Sequence, residues 1–193
     1  MDDSSIKNVP SIYPQLLSKC EEIGFTMPSD LYIGPLLKTL VASKPGAHVL
    51  ELGTGIGLSL VWLVEGMDQN ASLITVDNDH KLSTIAEEFF GHHENVRIVC
   101  EDGAVWLAQY DGPSFDVIFA DAWPGKYSDL EKTLDLVKTG GFYIIDDMSE
   151  HPNWPEGHSQ KVAQLIEYLE GRTDFNIVKM NWSTGVIIAV KTS

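Results

Sequence analysis

Basic residues are scarce in this chain: 13 Lys and Arg stand against 28 Asp and Glu in 193 residues, a formal net charge of -15. Nucleic-acid binding draws much of its affinity from Lys and Arg that release counterions. The deficit therefore argues against a nucleic-acid partner and for a small-molecule one, although the same charge also serves solubility. Long apolar runs are missing too, and none approaches the ~20 residues of a membrane-spanning helix, so no membrane partner is expected. Cysteine is almost absent. Cys20 and Cys100 lie far apart and form no C-x-x-C pair, and Cys100 falls in the strand-like "VRIVC"; buried, reduced thiols are expected. The opening "MDDSSIKNVP" lacks the basic start and apolar stretch of a secretory signal, so a cytoplasmic location is expected.

What is present is an alternation. From His48 onward short apolar runs alternate with helix-like stretches, which is a βα pattern. Strands are expected at "HVLELG", "SLITVD", "VRIVCED", "FDVIFAD" and "GFYIIDD", each apolar enough for a parallel strand covered on both faces. Helices are expected at 58–65, 80–90, 104–110 and 127–137, and a further one at "QKVAQLIEYLEG". Near the end "FNIVKM" and "GVIIAV" are separated only by "NWST", too little for a helical crossover, so they should form an antiparallel hairpin. The expected fold is α/β, a Rossmann-like, seven-stranded, mostly parallel sheet with helices on both faces. Residues 1–45, with five prolines between short helical patterns, read as a small helical cap within one single-domain chain.

In an open parallel sheet ligands bind beyond the carboxyl ends of the strands, where the strand order reverses. Here those ends are acidic or glycine each time: Glu51 with Gly53, Gly55 and Gly57; Asp77; Glu101, Asp102 and Gly103; Asp121; Asp146 and Asp147. The dinucleotide fingerprint is G-x-G-x-x-G, but this chain reads G-T-G-I-G with an acid ahead of it. An acid there opposes a pyrophosphate and suits a ligand with an ammonium group, such as S-adenosylmethionine. Asp77 stands twenty residues past Gly57, where a carboxylate accepts hydrogen bonds from ribose hydroxyls. Each feature has a structural alternative, a tight turn or a helix cap.

These stretches resemble class I methyltransferases, most of all the metal-dependent O-methyltransferases of the catechol and caffeoyl-CoA type, over about residues 27–190. "VLELGTGIGLS" is similar to the first cofactor motif, "LITVDND" to the ribose-binding strand, "FADAWPGKY" to the fourth strand and "LVKTGGFYIIDDM" to the fifth. The resemblance makes 46–193 the methyltransferase domain. It implies a cofactor, S-adenosylmethionine, held by Glu51, Gly53, Thr54, Gly55, Gly57, Asp77 and Asn78, with Asp102 and Gly103 near adenine and Asp121 facing the same site. It also implies a divalent metal, Mg²⁺ or another, on Asp121, Asp146 and Asp147, acting as a Lewis acid on a substrate hydroxyl. The implied activity is O-methylation of a small hydroxylated substrate.

Two departures bear on that picture. The family's lysine three residues after the first metal Asp is replaced by Pro124, with Lys126 two residues later, and Asp-Asn becomes Asp146-Asp147. Lys126 and Asp121 are nonetheless the expected catalytic groups, with His158 from the loop "HPNWPEGH" as a further base. Trp123, Tyr127 and Trp154 are the expected substrate wall. His151 lies in the same loop. Alternative readings remain open: a metal-independent N-methyltransferase, a nicotinamide-dependent oxidoreductase, or a non-catalytic cofactor-binding module. A homodimer is compatible with the sequence, which does not fix the oligomeric state.

Overall fold

The structure, a computed structural model, describes residues 5–150 and 154–193. His151 lies outside them. Two helices, α1 (Tyr13–Ile23) and α2 (Ile33–Ala42), precede a run of β1 (His48–Leu52), α3 (Leu60–Gly66), β2 (Ser72–Asp77), α4 (His80–Phe90), β3 (Val96–Cys100), α5 (Gly103–Gln109) and β4 (Phe115–Ala120). The chain continues through α6 (Leu130–Asp135), β5 (Val137–Ile145), α7 (His158–Glu170), β6 (Phe175–Met180) and β7 (Val186–Lys191). The strands form one sheet in the order β3-β2-β1-β4-β5-β7-β6. β1 to β5 are parallel, and β7 runs antiparallel between β5 and β6. This is the expected seven-stranded α/β sheet with its terminal hairpin.

Successive residues of a strand face opposite sides, and the core divides accordingly. Val49, Leu73, Val117, Phe119 and Ile144 pack with α1, α2, α3 and α4 through Leu16, Leu37, Leu63 and Ile85. Leu50, Leu52, Val76, Ile118 and Ile145 pack on the other side with Trp106 of α5, Leu134 of α6 and Leu165 of α7. Both faces of the central strands are covered, which explains their nearly continuous apolar sequence. The N-terminal helices share the core of β1. Asp79 and Asp102 cap α4 and α5, each carboxylate accepting two backbone N–H groups; such caps contribute about 1 kcal/mol apiece.

Two details differ from the sequence reading. α6 covers only Leu130–Asp135, because 123–128 fold into a tight turn and Val137 already pairs with Phe115 as the start of β5. Cys100 is exposed, not buried, because β3 is an edge strand and Cys100 lies at its tip; Cys20 is buried as expected. Among the described residues no helix is long and apolar enough to cross a membrane.

Candidate active site

The strand order reverses at β1, which connects onward to β2 on one side and lies beside β4 on the other. That places the glycine loop at the switch point of the sheet. Gly55 donates its N–H to Asp77 Oδ2 at 2.8 Å, so the loop and the end of β2 are bound together. Asp77 Oδ1 accepts from Asp79 N–H, and it is Asp79, not Asp77, that caps α4. The structural alternative for Asp77, helix capping, is thereby removed. Asn78 follows it, exposed. Gly53 has φ +102, and a Cβ there would stand 2.7 Å from the carbonyl oxygen of Asp121. β1 and β4 can approach this closely only with glycine at that place.

Beneath the loop Glu51 is fully buried and accepts hydrogen bonds from Ser59 Oγ and Thr75 Oγ1, both at 2.6 Å; Thr75 also meets Thr54 Oγ1. Burial pushes the Glu51 carboxyl up to about 8; the two hydroxyls oppose this, and the nearby charges of Asp121 and Asp77 add to it. The two charges that raise it are both acids, an electrostatic setting suited to a cationic ligand and adverse to a pyrophosphate. Asp102 spends Oδ1 on the α5 cap, and Gly103 beside it packs against Pro124, whose Cβ would be 3.0 Å from one on the glycine.

Around the end of β4 the groups are different. Asp121 is pushed up to about 7, chiefly by burial, with Lys126 opposing and Asp147 and Asp146 adding to it. Lys126 is only 4% exposed, and its Nζ donates to the backbone carbonyl of Asp146. The group expected as a base is thus engaged as a donor. Asp146 Oδ1 accepts from the Thr184 hydroxyl and from Asp147 N–H, and Asp147 has left-handed φ 56. The three aspartates influence one another but do not form a ligand set. Among the described residues no three His, Cys, Asp or Glu side chains come together closely enough to hold a metal ion. On the residues expected to hold a metal, a side-chain oxygen of Asp146 is tied to Thr184, and the buried Lys126 donates to the Asp146 backbone carbonyl.

Trp123, Tyr127, Trp154 and His158 form one aromatic cluster. The His158 ring lies 4.6 Å from Trp154, 5.2 Å from Tyr127 and 6.2 Å from Trp123 between centroids, and Tyr127 Oη lies 3.3 Å from His158 Nε2. Trp123 remains 47% exposed, with Lys161 Nζ over its ring at 4.7 Å and the Tyr127 ring 4.9 Å away between centroids. Burial, with the charges of Lys126 and Lys161, lowers the His158 pKa below its ordinary value. Its place as first residue of α7, at the positive end of the helix dipole, acts in the same direction.

Several residues of the site carry no sequence signal. Ser29 Oγ reaches Asp121 Oδ2 at 3.4 Å, and the Phe25 ring lies 3.5 Å from where a Cβ on Gly55 would stand. Both come from the segment between α1 and α2. Thr184 comes from the turn between β6 and β7, where backbone bonds from Met148 to Gly185 and from Ser149 to Thr184 hold that turn against the end of β5.

Comparison with known proteins agrees with this geometry. Residues 50–148, just over half of the chain, match the family described as "Methyltransferase domain". A provisionally named O-methyltransferase of Mycobacterium leprae is 31% identical over 110 residues, 55% of this chain and 49% of that protein. The chain spans about half the length of the curated relatives it matches. The O-methyltransferase TomG of Streptomyces achromogenes, solved with S-adenosylmethionine, superposes with a TM-score of 0.84 at 21% identity, covering 99% of this chain and 94% of that one. An O-methyltransferase of Bacillus cereus, solved with SAH, gives 0.83 at 20% identity, covering 98% and 94%. The fold is shared with both, and the match over 50–148 settles the kinship: the chain belongs to the methyltransferase-domain family.

Proposed function

We propose that the chain is an S-adenosylmethionine-dependent O-methyltransferase acting on a small hydroxylated molecule. The observation that carries this reading is the bond between Gly55 N–H and Asp77. It puts the glycine turn and a carboxylate on one rim, beside two further acids. Such a rim suits a nucleoside with ribose hydroxyls at one end and an ammonium at the other. In this reading Asp77 and Asn78 take the ribose, the backbone of Gly53, Thr54, Gly55 and Gly57 takes the amino-acid end over Glu51, and Asp102 and Gly103 border the base. Asp121 stands between that pocket and the aromatic cluster. The two structural neighbours solved with S-adenosylmethionine or SAH support the cofactor.

When bound, S-adenosylmethionine supplies a methyl group on a cationic sulfur, ready for displacement by an oxygen nucleophile. The chain's own part is to place the acceptor and remove its proton. Trp123, half exposed, offers apolar ring surface to an aromatic or otherwise planar acceptor. His158, kept neutral at physiological pH, is the proton acceptor, with Tyr127 beside it. Tyr127 itself is pushed up to about 12, mainly by burial, and stays protonated. No step is assigned to a divalent ion, because Asp146 Oδ1 is committed to Thr184 and Lys126 donates to the Asp146 carbonyl. The two N-terminal helices and 25–30 act as a cap over the glycine loop, and a cytoplasmic setting suits the two unpaired cysteines. Methyl transfer from labelled S-adenosylmethionine to a panel of phenols, catechols and amines tests the proposal. Labelled ethers are expected; label on amines alone would replace it with N-methylation, and no label on any acceptor would leave only a binding module.

A further inference from the structure

We infer that the ammonium of Lys126 is the resident cation of the acidic rim, standing where the resemblance places a divalent metal, so that methyl transfer by this chain needs no metal ion. The inference rests on the methyltransferase reading above. Its starting point is the turn "AWPGKY". Pro124 and Gly125 displace the lysine two residues along the chain, and the turn they make folds inward. Gly125 N–H donates to Ser128 at 2.7 Å, Tyr127 N–H donates to Trp123 at 2.9 Å, and the buried hydroxyl of Tyr143 donates to the Gly125 carbonyl at 2.7 Å. The stem of Lys126 is therefore drawn under the strand ends, and its head meets the Asp146 carbonyl.

A lysine with 4% exposure requires compensation by nearby negative charge, and carboxylates gathered on one rim require a cation. Each requirement answers the other here. The charge of Lys126 acts on both Asp121 and Asp146. Asp146 is further committed through Oδ1 to Thr184 and to Asp147 N–H. A dication brought to the same rim would meet an ammonium it cannot displace without stripping the Asp146 carbonyl of its donor. Lys126 is on this view a positioning residue: it fixes the ends of β4 and β5 relative to one another and balances their charge.

Manganese alone is a suitable probe, since its free form is read directly by electron paramagnetic resonance. The wild-type chain saturated with S-adenosylmethionine is expected to leave Mn²⁺ free up to about 1 mM, the weak end of carboxylate-cation sites. Its methyl transfer should change less than about twofold on exhaustive chelation. Lys126→Met is expected to bind Mn²⁺ at least about tenfold more tightly than wild type, because the carboxylates lose their cation; Lys126→Arg should not. Binding of one Mn²⁺ to wild type at micromolar concentration, abolished by Asp146→Asn, would overturn the inference, as would a Lys126→Met protein with no gain. The wild-type measurements decide if the methionine variant does not fold. Calorimetry of cofactor binding on the same wild-type sample separates failure of this inference from failure of the methyltransferase reading.

Discussion

Gly57 shows how a single residue ties the loop to the core. Its φ is +97, and a Cβ would lie 2.4 Å from the Phe90 ring at the end of α4. Strain at a left-handed position and overpacking against a fixed ring act together, so Gly57→Ala should cost about 3 kcal/mol, or roughly 10 °C in Tm for a chain of this size; thermal unfolding measures it. Glu51 makes a second claim at this scale. Its carboxyl is raised to about 8 in the folded chain from an ordinary 4.5. Between those values the folded state holds a proton that the unfolded chain releases, so its stabilisation is present in full below about 4.5 and lost as pH rises toward 8. The slope is at most about 1.4 kcal/mol per pH unit. Glu51→Gln should remove that part of the decline in denaturant unfolding curves, and an unchanged slope would contradict the buried acid. Glu51, the glycines and Asp77 were legible in the sequence because each sits at a strand end defined by its own neighbours. Ser29, Phe25 and Thr184 were not: nothing local marks them, and only the tertiary fold brings them to Asp121, Gly55 and Asp146.

At the scale of elements, the proposed base His158 is the first residue of α7, where the helix dipole and burial both disfavour the imidazolium. The neutral form therefore predominates above a pKa lower than 6.5. kcat/KM is expected to rise with pH through a midpoint below 6.5, and His158→Ala should lower it about a hundredfold. A midpoint above 6.5, or no effect of the substitution, would move the proton elsewhere. The strands were readable from their apolar runs, and β2 and β6 stand where "SLITVD" and "FNIVKM" were expected. The stretch from 123 to 137 was not. A helical pattern there conceals a turn and the early start of β5, because Pro124 and Gly125 set the local backbone and the pairing of Val137 with Phe115 outweighs helix propensity. The same turn buries Lys126, which neither its sequence position nor the family pattern indicates.

For the whole molecule, the acidic rim and the net charge of -15 point the same way. A cationic nucleoside is favoured at the switch point and polyanions are not. The sheet order follows from the βα alternation except at its end, where β7 lies between β5 and β6 and so brings Thr184 to the rim. A hairpin is evident from the short "NWST" link, but which of its strands lies next to β5 is a matter of pairing that the link does not specify. The central claim, that β1 and β2 together hold a sulfonium nucleoside, is tested most directly by calorimetric titration of S-adenosylmethionine into the wild-type chain and into Asp77→Ala. Saturable one-to-one binding is expected for the wild type, weakened about 10- to 100-fold by the substitution, as loss of hydrogen bonds to a charged group implies. Absence of binding to the wild type at millimolar cofactor, or equal affinity in Asp77→Ala, would contradict it.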